Sequence, residues 1–489
     1  MTVRTQQWSL VGGLDLETPA MNIPAGKAIL AQNYEASLSG GYRRIDGYTL
    51  YDGSATPSAV TGSGKVLGVW VFGGVVYAFR NNVGGTACVM YKATSSGWTV
   101  VNTPTLLPSG RFEFVNHNFT GSSTGKKMYG VDGKNKAFQF DGTTFTQITT
   151  GMTSDTPTHV GVHKNHLFLS FAGGSVQHSG IGDPLSWTLA LGAGELGIGT
   201  EVTGLQSQRG NALVITGEDR INILYGTSNA DWDLKSFATD LGVKAYTDVM
   251  LDSDLYFVND RGVSSLQATQ AFGDFAITNL STPVNKFVNT RISTLIGSSA
   301  NTTKSQLRVF FADGTVLVGA ILNKQVVGWT TWLLPDKASA LSDEYMGTAN
   351  GEVMKLDDGK TFNGASIESY LRLAFTNIGT ASRQKRFRRA FLELEAGNTA
   401  NLQFIADYDF GSGAASTVNS AQVYGGGGFW DIEYWESFVW SAATVATAEA
   451  ELNGTGQNIS LLIYHNTASD APFTLQGVRV NYTMRGQIR

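Results

Sequence analysis

From Val66 to about Phe362 the chain repeats one short pattern of apolar and polar positions. An apolar run is followed by a glycine-containing turn, a second apolar run, and then an aromatic residue that usually precedes threonine. Leu67 to Phe79 carries the pattern around Gly73 and Gly74, and Gln306 to Gly319 carries it around Asp313 and Gly314. Leu251 to Val263 does so with Asp260, Arg261 and Gly262. Alternation with a period of two predicts strands with one buried face, and the glycine turns predict hairpins.

The closing aromatics set the period. Trp98, Phe145, Trp187, Trp232, Phe275 and Trp329 recur at intervals of 47, 42, 45, 43 and 54 residues. Four of the five intervals lie near the roughly 40–45 residues of a four-stranded propeller blade. The fifth is longer because 282–300 spaces Val284, Phe287, Val288, Ile292, Leu295 and Ile296 as one helical face, which predicts a helix packed across the ring. A single unit leaves apolar surface exposed, and stacking units radially buries it. The pattern therefore predicts a β-propeller of six or seven blades over residues 61–364. The last unit, Tyr345 to Leu356 around Asn350 and Gly351, is only a hairpin, so a strand from the N-terminal segment is expected to complete it and cover its edge.

The flanks break the period. Residues 1–60 carry Pro19 and Pro24 and read as an extended N-terminal segment that closes or braces the propeller, with a short helical turn after Pro24. Beyond residue 364 the strands lengthen. Ser366 to Phe375, Phe387 to Glu395, Leu402 to Tyr408 and Phe473 to Tyr482 alternate cleanly and predict an antiparallel β-sandwich platform over 365–489. The fold class is all-β.

Composition narrows the function classes. A chain of 489 residues exceeds the usual size of one core, and 58 glycines with 15% charged residues describe a turn-rich folded protein. The net charge of −5 supplies no global basic field for holding nucleic acid. Cys88 is the single cysteine, which excludes an intrachain disulfide, and its strand-like surroundings predict a buried thiol. With no apolar run of ~20 residues and no signal-like start, the chain reads as made in a reducing cytosol without membrane insertion.

Catalytic motifs are not evident. His159, His163 and His166 have a metal-like spacing, but on one strand His159 and His163 would share a face with His166 on the other, and no cysteine completes a site. Asp357 with Asp358, and Asp231 with Asp233, read as turn residues. The expectation is no enzyme, no metal and no cofactor. Two surfaces stand out instead. Arg383, Lys385, Arg386, Arg388 and Arg389 put five cations in seven residues. On a regular strand Lys385, Phe387 and Arg389 share one face, and Arg386 and Arg388 share the other with Ala390. At least one set must then meet water, an acidic neighbour such as Glu393 or Glu395, a second subunit or adaptor, or the phosphates of DNA in a channel. The second surface is the loop carrying Tyr424, Phe429, Trp430 and Trp435 beside Gly425 to Gly428, which reads as a contact loop or as a loop folded over its own sandwich.

The opening segment adds a resemblance. Gly12-Gly13-Leu14, Pro24, Ala28, Ala31, Asn33, Gly40-Gly41, Arg43-Arg44 and Gly47-Tyr48 resemble the start of the tail nozzle, or packaged-DNA stabilisation, proteins of short-tailed bacteriophages. That family joins such a segment to a propeller and a β-rich platform, the order read here. The resemblance covers motif and layout across most of the chain and brings no catalytic residue with it. It implies a virion tail hub, a ring of six identical subunits extending the DNA channel below the portal and adaptor. The propeller would face outward to dock tail fibres or spikes, and genomic double-stranded DNA would pass without sequence-specific binding. An alternative from another class is a carbohydrate-binding, lectin-like propeller that uses its 10 tryptophans and 17 tyrosines at blade tips.

Overall fold

A computed structural model describes residues 2–208, 212–268, 275–396, 399–411, 418–424 and 445–487. Seven four-stranded antiparallel meanders follow one another around an axis, so the protein contains a seven-bladed β-propeller. Blades 1 to 6 occupy 63–100, 113–147, 159–197, 202–238, 249–279 and 295–333, each running in chain order from its inner to its outer strand. Blade 7 takes three strands from Ala338–Leu341, Tyr345–Thr348 and Val353–Leu356. Its outer strand is Tyr48–Leu50, paired with Met354 to Leu356. The ring is thus closed by a strand from the start of the chain, which covers the edge that the final hairpin would otherwise expose. Arg80 of blade 1 ties the closing blade to the first by donating to the carbonyls of Val60, Gly64 and Asn350.

Five of the six closing aromatics lie in or beside the outer strands of their blades, with one departure. Trp187 sits in a loop between Ser175–His178 and the true outer strand of blade 3, Gly194–Gly197, and its indole donates to Pro184 O at 3.0 Å. The helix expected over 282–300 is also shorter than its spacing suggests. Turns at Thr282–Val284, Asn285–Asn289 and Ile292–Thr294 hold Val284 and Val288 in the core, after which Leu295 and Ile296 begin the inner strand of blade 6. Apolar runs of this length serve either period, and pairing with Gln306–Phe311 decides it.

Blade 6 does not end at its fourth strand. Gln325–Leu333 pairs in parallel with Ala28–Gln32, which continues through Ser369–Leu373, Ile459–His465, Thr399–Tyr408 and Asn419–Tyr424 as one nine-stranded sheet. A second sheet orders Tyr34–Ala36, Tyr42–Arg44, Phe473–Gln487, Arg383–Ala396 and Val445–Glu451, with Val3–Ser9 added along Phe473–Gln487. Phe387, Leu392, Leu394 and Val480 of this sheet share a continuous core with Leu371, Leu402, Phe404 and Ile463 of the other, which makes the platform a β-sandwich. The first fifty residues are therefore divided. Val3–Ser9, Ala28–Gln32, Tyr34–Ala36 and Tyr42–Arg44 build the platform, and Tyr48–Leu50 builds the propeller.

Candidate functional site

The cation-rich strand Arg383–Ala396 runs between Phe473–Gln487 and Val445–Glu451. A register shift between Phe387 and Arg389 inserts one extra residue, and the regular alternation breaks there. Arg386, Arg388 and Arg389 all point outward as a result. Lys385 turns inward and leaves the surface patch. Its fully buried ammonium donates to the carbonyls of Thr380 at 2.6 Å, Gln457 at 2.7 Å and Arg383 at 3.2 Å, and burial pushes its pKa down. Arg389 pairs with Glu449 at 2.8 Å, not with Glu393 or Glu395, whose carboxylates accept from Gln7 and Gln476. Among the described residues Arg383, Arg386 and Arg388 are exposed and belong to no ion pair. The contact loop lies largely outside the described residues. Tyr424 ends the strand Asn419–Tyr424, whereas Phe429, Trp430 and Trp435 are among the residues not described.

The three histidines do not share one strand. His159–His163 and His166–Phe171 are the two arms of a hairpin whose turn residues, Lys164 and Asn165, both have positive φ, so His163 faces His166 across the ladder. Among the described residues no group of three metal-ligating side chains assembles. His166 Nδ1 lies 2.6 Å from Ser179 O, and Trp232 donates to His178 Nε2 at 3.2 Å, within an aromatic cluster around Phe168.

A polar constellation that the sequence did not reveal lies on the propeller axis. A cavity of about 430 Å³ is lined by the inner strands of all seven blades, from Leu67 and Trp70 in blade 1 to Ser339 and Asp343 in blade 7. Glu113 of blade 2 lies 2.7 Å from His159 Nδ1 of blade 3 and accepts Val160 N at 3.2 Å. Burial works against the charge on His159, yet the neighbouring Glu113 carboxylate outweighs it and raises the imidazole pKa. Asp248 of blade 5 is buried nearby. Burial, reinforced by Glu113 and opposed by His159, pushes its carboxyl up to about 7. Arg111 stacks its guanidinium 3.5 Å over the Tyr246 ring and donates to Ile296 O. These residues come from separate blades, and only polar residues at inner-strand positions would have signalled them.

The opening motif resolves into the joint between propeller and platform. Gly13 has φ +66, and a Cβ there would lie 2.5 Å from Trp329 N of blade 6. A Cβ at Gly47 would lie 1.9 Å from Thr361 O. Arg44 is fully buried and donates to Lys360 O and Asp470 O, both at 3.1 Å. Arg43 pairs with Glu35 and with Asp46 at 2.9 Å. Lys304 of blade 6 joins Asp46 and Asp357, each at 2.7 Å, and Asp357 also holds the buried Arg308 at 2.7 Å. The Tyr48 hydroxyl donates to Asp336 at 2.6 Å while its ring stacks on Phe362. Asn33, at φ 57, accepts Leu333 N and donates to Glu368 O, bridging blade 6 and the platform.

Neither a family model nor a curated protein sequence matches this chain. Among solved structures it is similar to a catalytically inactive virginiamycin B lyase from Staphylococcus aureus, at 13% identity over 61% of this chain and 97% of that one, with a TM-score of 0.42. It is also similar to the WD40 repeats of RRP9, at 11% identity over 63% of this chain and 99% of that one, with a TM-score of 0.44. YCF48 from Cyanidioschyzon merolae aligns at 7% identity over 61% and 98% of the two chains, with a TM-score of 0.39. At such identities and TM-scores nothing transfers to this chain, and its propeller fold rests on its own sheet order.

Proposed function

We propose that the chain is a structural subunit of a bacteriophage tail, a nozzle or hub protein that assembles into a ring, most simply of six copies, around the DNA channel. The observation that carries this reading is the joint. Several residues that give the sequence its resemblance to tail nozzle proteins, among them Gly13, Ala28, Asn33, Arg44 and Tyr48, lie where the propeller meets the platform, beside a continuous sheet and a partly buried ion network. A subunit whose propeller and platform share one continuous sheet suits a part that holds packaged DNA under load and docks fibres or spikes on its outer face. Ring closure needs a heterologous contact between different faces of identical subunits. The exposed Arg383, Arg386 and Arg388 on the platform sheet supply a charged surface for a neighbouring copy or the adaptor. The role is mechanical and requires neither a catalytic group nor a cofactor, and the overall negative charge lets DNA pass without being held.

Reversing charge with Arg386→Glu and Arg388→Glu tests the surface. Assembly should weaken, read as loss of the oligomer by mass in solution. The monomer should keep its circular dichroism and its stability to within about 0.5 kcal/mol, because both side chains are exposed. Normal assembly of the double variant would remove this strand from the interface.

A further inference from the structure

The seam between blades 3 and 4 is crossed at a pair of buried histidines. His178 ends the strand Ser175–His178, His166 opens the strand His166–Phe171, and the two are 0% and 1% exposed. Their rings lie 5.3 Å apart, and both Nδ1 atoms face one carbonyl, Ser179 O, at 3.1 and 2.6 Å. A carbonyl only accepts, so each Nδ1 carries the proton and each neutral ring leaves Nε2 as an acceptor. His178 Nε2 accepts the indole N–H of Trp232, just before the outer strand of blade 4, at 3.2 Å. His166 Nε2 has no partner among the described residues. Trp232 packs against an apolar cluster that includes Phe168 and Val176 of blade 3 and Leu205 and Leu213 of blade 4.

A proton on His178 is poorly accommodated there. Indole is a donor only, so a second N–H on the ring points at another N–H and breaks the bond to Trp232. Gly194 closes on the same atom, where a Cβ would fall 2.7 Å away. Burial, reinforced by His166, outweighs the pull of Ser179 O and Asn229 and holds the His178 pKa below its ordinary value. The nearby carboxylates are engaged elsewhere: Asp231 accepts Thr227 N and Ser228 N, Glu195 accepts Ser175 Oγ, and Asp183 accepts Leu185 N. Lys164 in the adjoining turn is a cation, and His163 Nδ1 lies 2.8 Å from Ser207 Oγ. His159 responds in the opposite sense, because Glu113 raises its pKa. The Ser179 carbonyl is also the root of the blade 3 insertion 180–193, whose Ile181, Leu185, Leu189 and Leu191 are exposed.

We propose that His178 and Trp232 form an acid-released latch, in which protonation of the buried histidine pair loosens blade 3 from blade 4 and frees the root of the 180–193 insertion. The latch lies within one chain and is independent of the ring reading. The folded state keeps His178 neutral, and opening lets it take the proton that burial denies it. The latch is therefore complete above the ordinary value of 6.5 and weakens as pH falls below it. For one proton the open population should grow about tenfold per pH unit in that range.

Hydrogen exchange of the full chain at pH 7.5 and pH 5, corrected for intrinsic exchange rates, tests it. Protection in 159–178 and 221–238 should fall at least about tenfold at pH 5 relative to blade 1, whose residues 63–100 include no histidine. His178→Gln keeps an acceptor for Trp232 but cannot take the proton. It should abolish that fall and leave protection at pH 7.5 within about twofold of the natural chain. Trp232→Phe removes the donor and decides the matter should His178→Gln fail to fold: the seam should exchange severalfold faster already at pH 7.5, with blade 1 unchanged. Seam protection unchanged at pH 5, an equal loss in blade 1, a folded His178→Gln chain that still loosens in acid, or a Trp232→Phe seam as protected as the natural one would overturn the proposal.

Discussion

Each of the first six blades is built from strands adjacent in sequence, whereas the platform gathers strands from both ends of the chain. In blade 1 the ladder runs through short turns, the first at Gly73 and Gly74, and its apolar residues pack with those of blade 2. In the platform the strand Phe473–Gln487 pairs with Val3–Ser9, Tyr42–Arg44 and Arg383–Ala396, so one element joins three distant parts of the chain. The propeller is a sum of local units, each supported by its neighbours. The platform forms only when the chain's two ends meet. The joint belongs to the second kind, because the strand that closes blade 7 is tethered directly to strands of the sandwich.

This contrast can be broken experimentally. Removing residues 1–50 should have the largest effect, since it takes away four platform strands and the outer strand of blade 7 together. The expected product is insoluble or lacks a cooperative thermal transition, and a soluble chain with a sharp transition would contradict the division of the N-terminal segment. Next come matched core truncations, Phe79→Ala in blade 1 and Phe404→Ala in the platform, each fully buried. Both should cost about 3–5 kcal/mol by denaturant unfolding. Hydrogen exchange should differ between them. Phe79→Ala should raise exchange mainly in blades 1 and 2, while Phe404→Ala should raise it across both sandwich sheets. Equal spread from the two sites would erase the distinction.

Asp357→Ala strikes the joint itself, leaving the buried Arg308 and the partly buried Lys304 short of a carboxylate. A loss of about 3 kcal/mol is expected. A further test concerns pH. The folded protein holds the Asp248 proton up to about pH 7, whereas the unfolded chain releases it near the ordinary value of 3.8. The folded state therefore binds the proton more tightly, and this group's contribution to stability falls as pH rises from about 4 to about 7. Asp248→Asn should remove that fall, so its advantage over the natural chain should grow across the interval and level off above it. Parallel stability profiles for the two proteins would contradict the assignment.

The same contrast governs what the sequence discloses. Blades were legible because strand, turn and strand recur within one short window, and the all-β propeller follows from that period. The half-blade at Tyr345 to Leu356 signalled closure from the N-terminal segment, although the closing strand itself is only Tyr48–Leu50 and carries no repeat signature. The outward turn of Arg389, away from the face of Lys385 and Phe387, was not legible, because the extra residue between Phe387 and Arg389 is visible only in the ladder. Nor was the pairing of Glu113 with His159 beside Asp248, three residues that no spacing relates and that meet only when blades 2, 3 and 5 close on one axis. The opening motif could be seen as a resemblance, but its physical sense needed the structure. Gly13 and Gly47 are places where another backbone passes, Arg44 bridges Lys360 and Asp470, and Arg43 holds Glu35 and Asp46 beside Lys304 of blade 6.

The most direct test of the account is the mass of the purified protein in solution together with negative-stain images, alone and mixed with neighbouring tail components. A ring of about six subunits around an open channel, formed alone or on addition of a neighbour, is the predicted result. A strict monomer that ignores those components and binds a glycan array would contradict it and put the carbohydrate-binding propeller in its place.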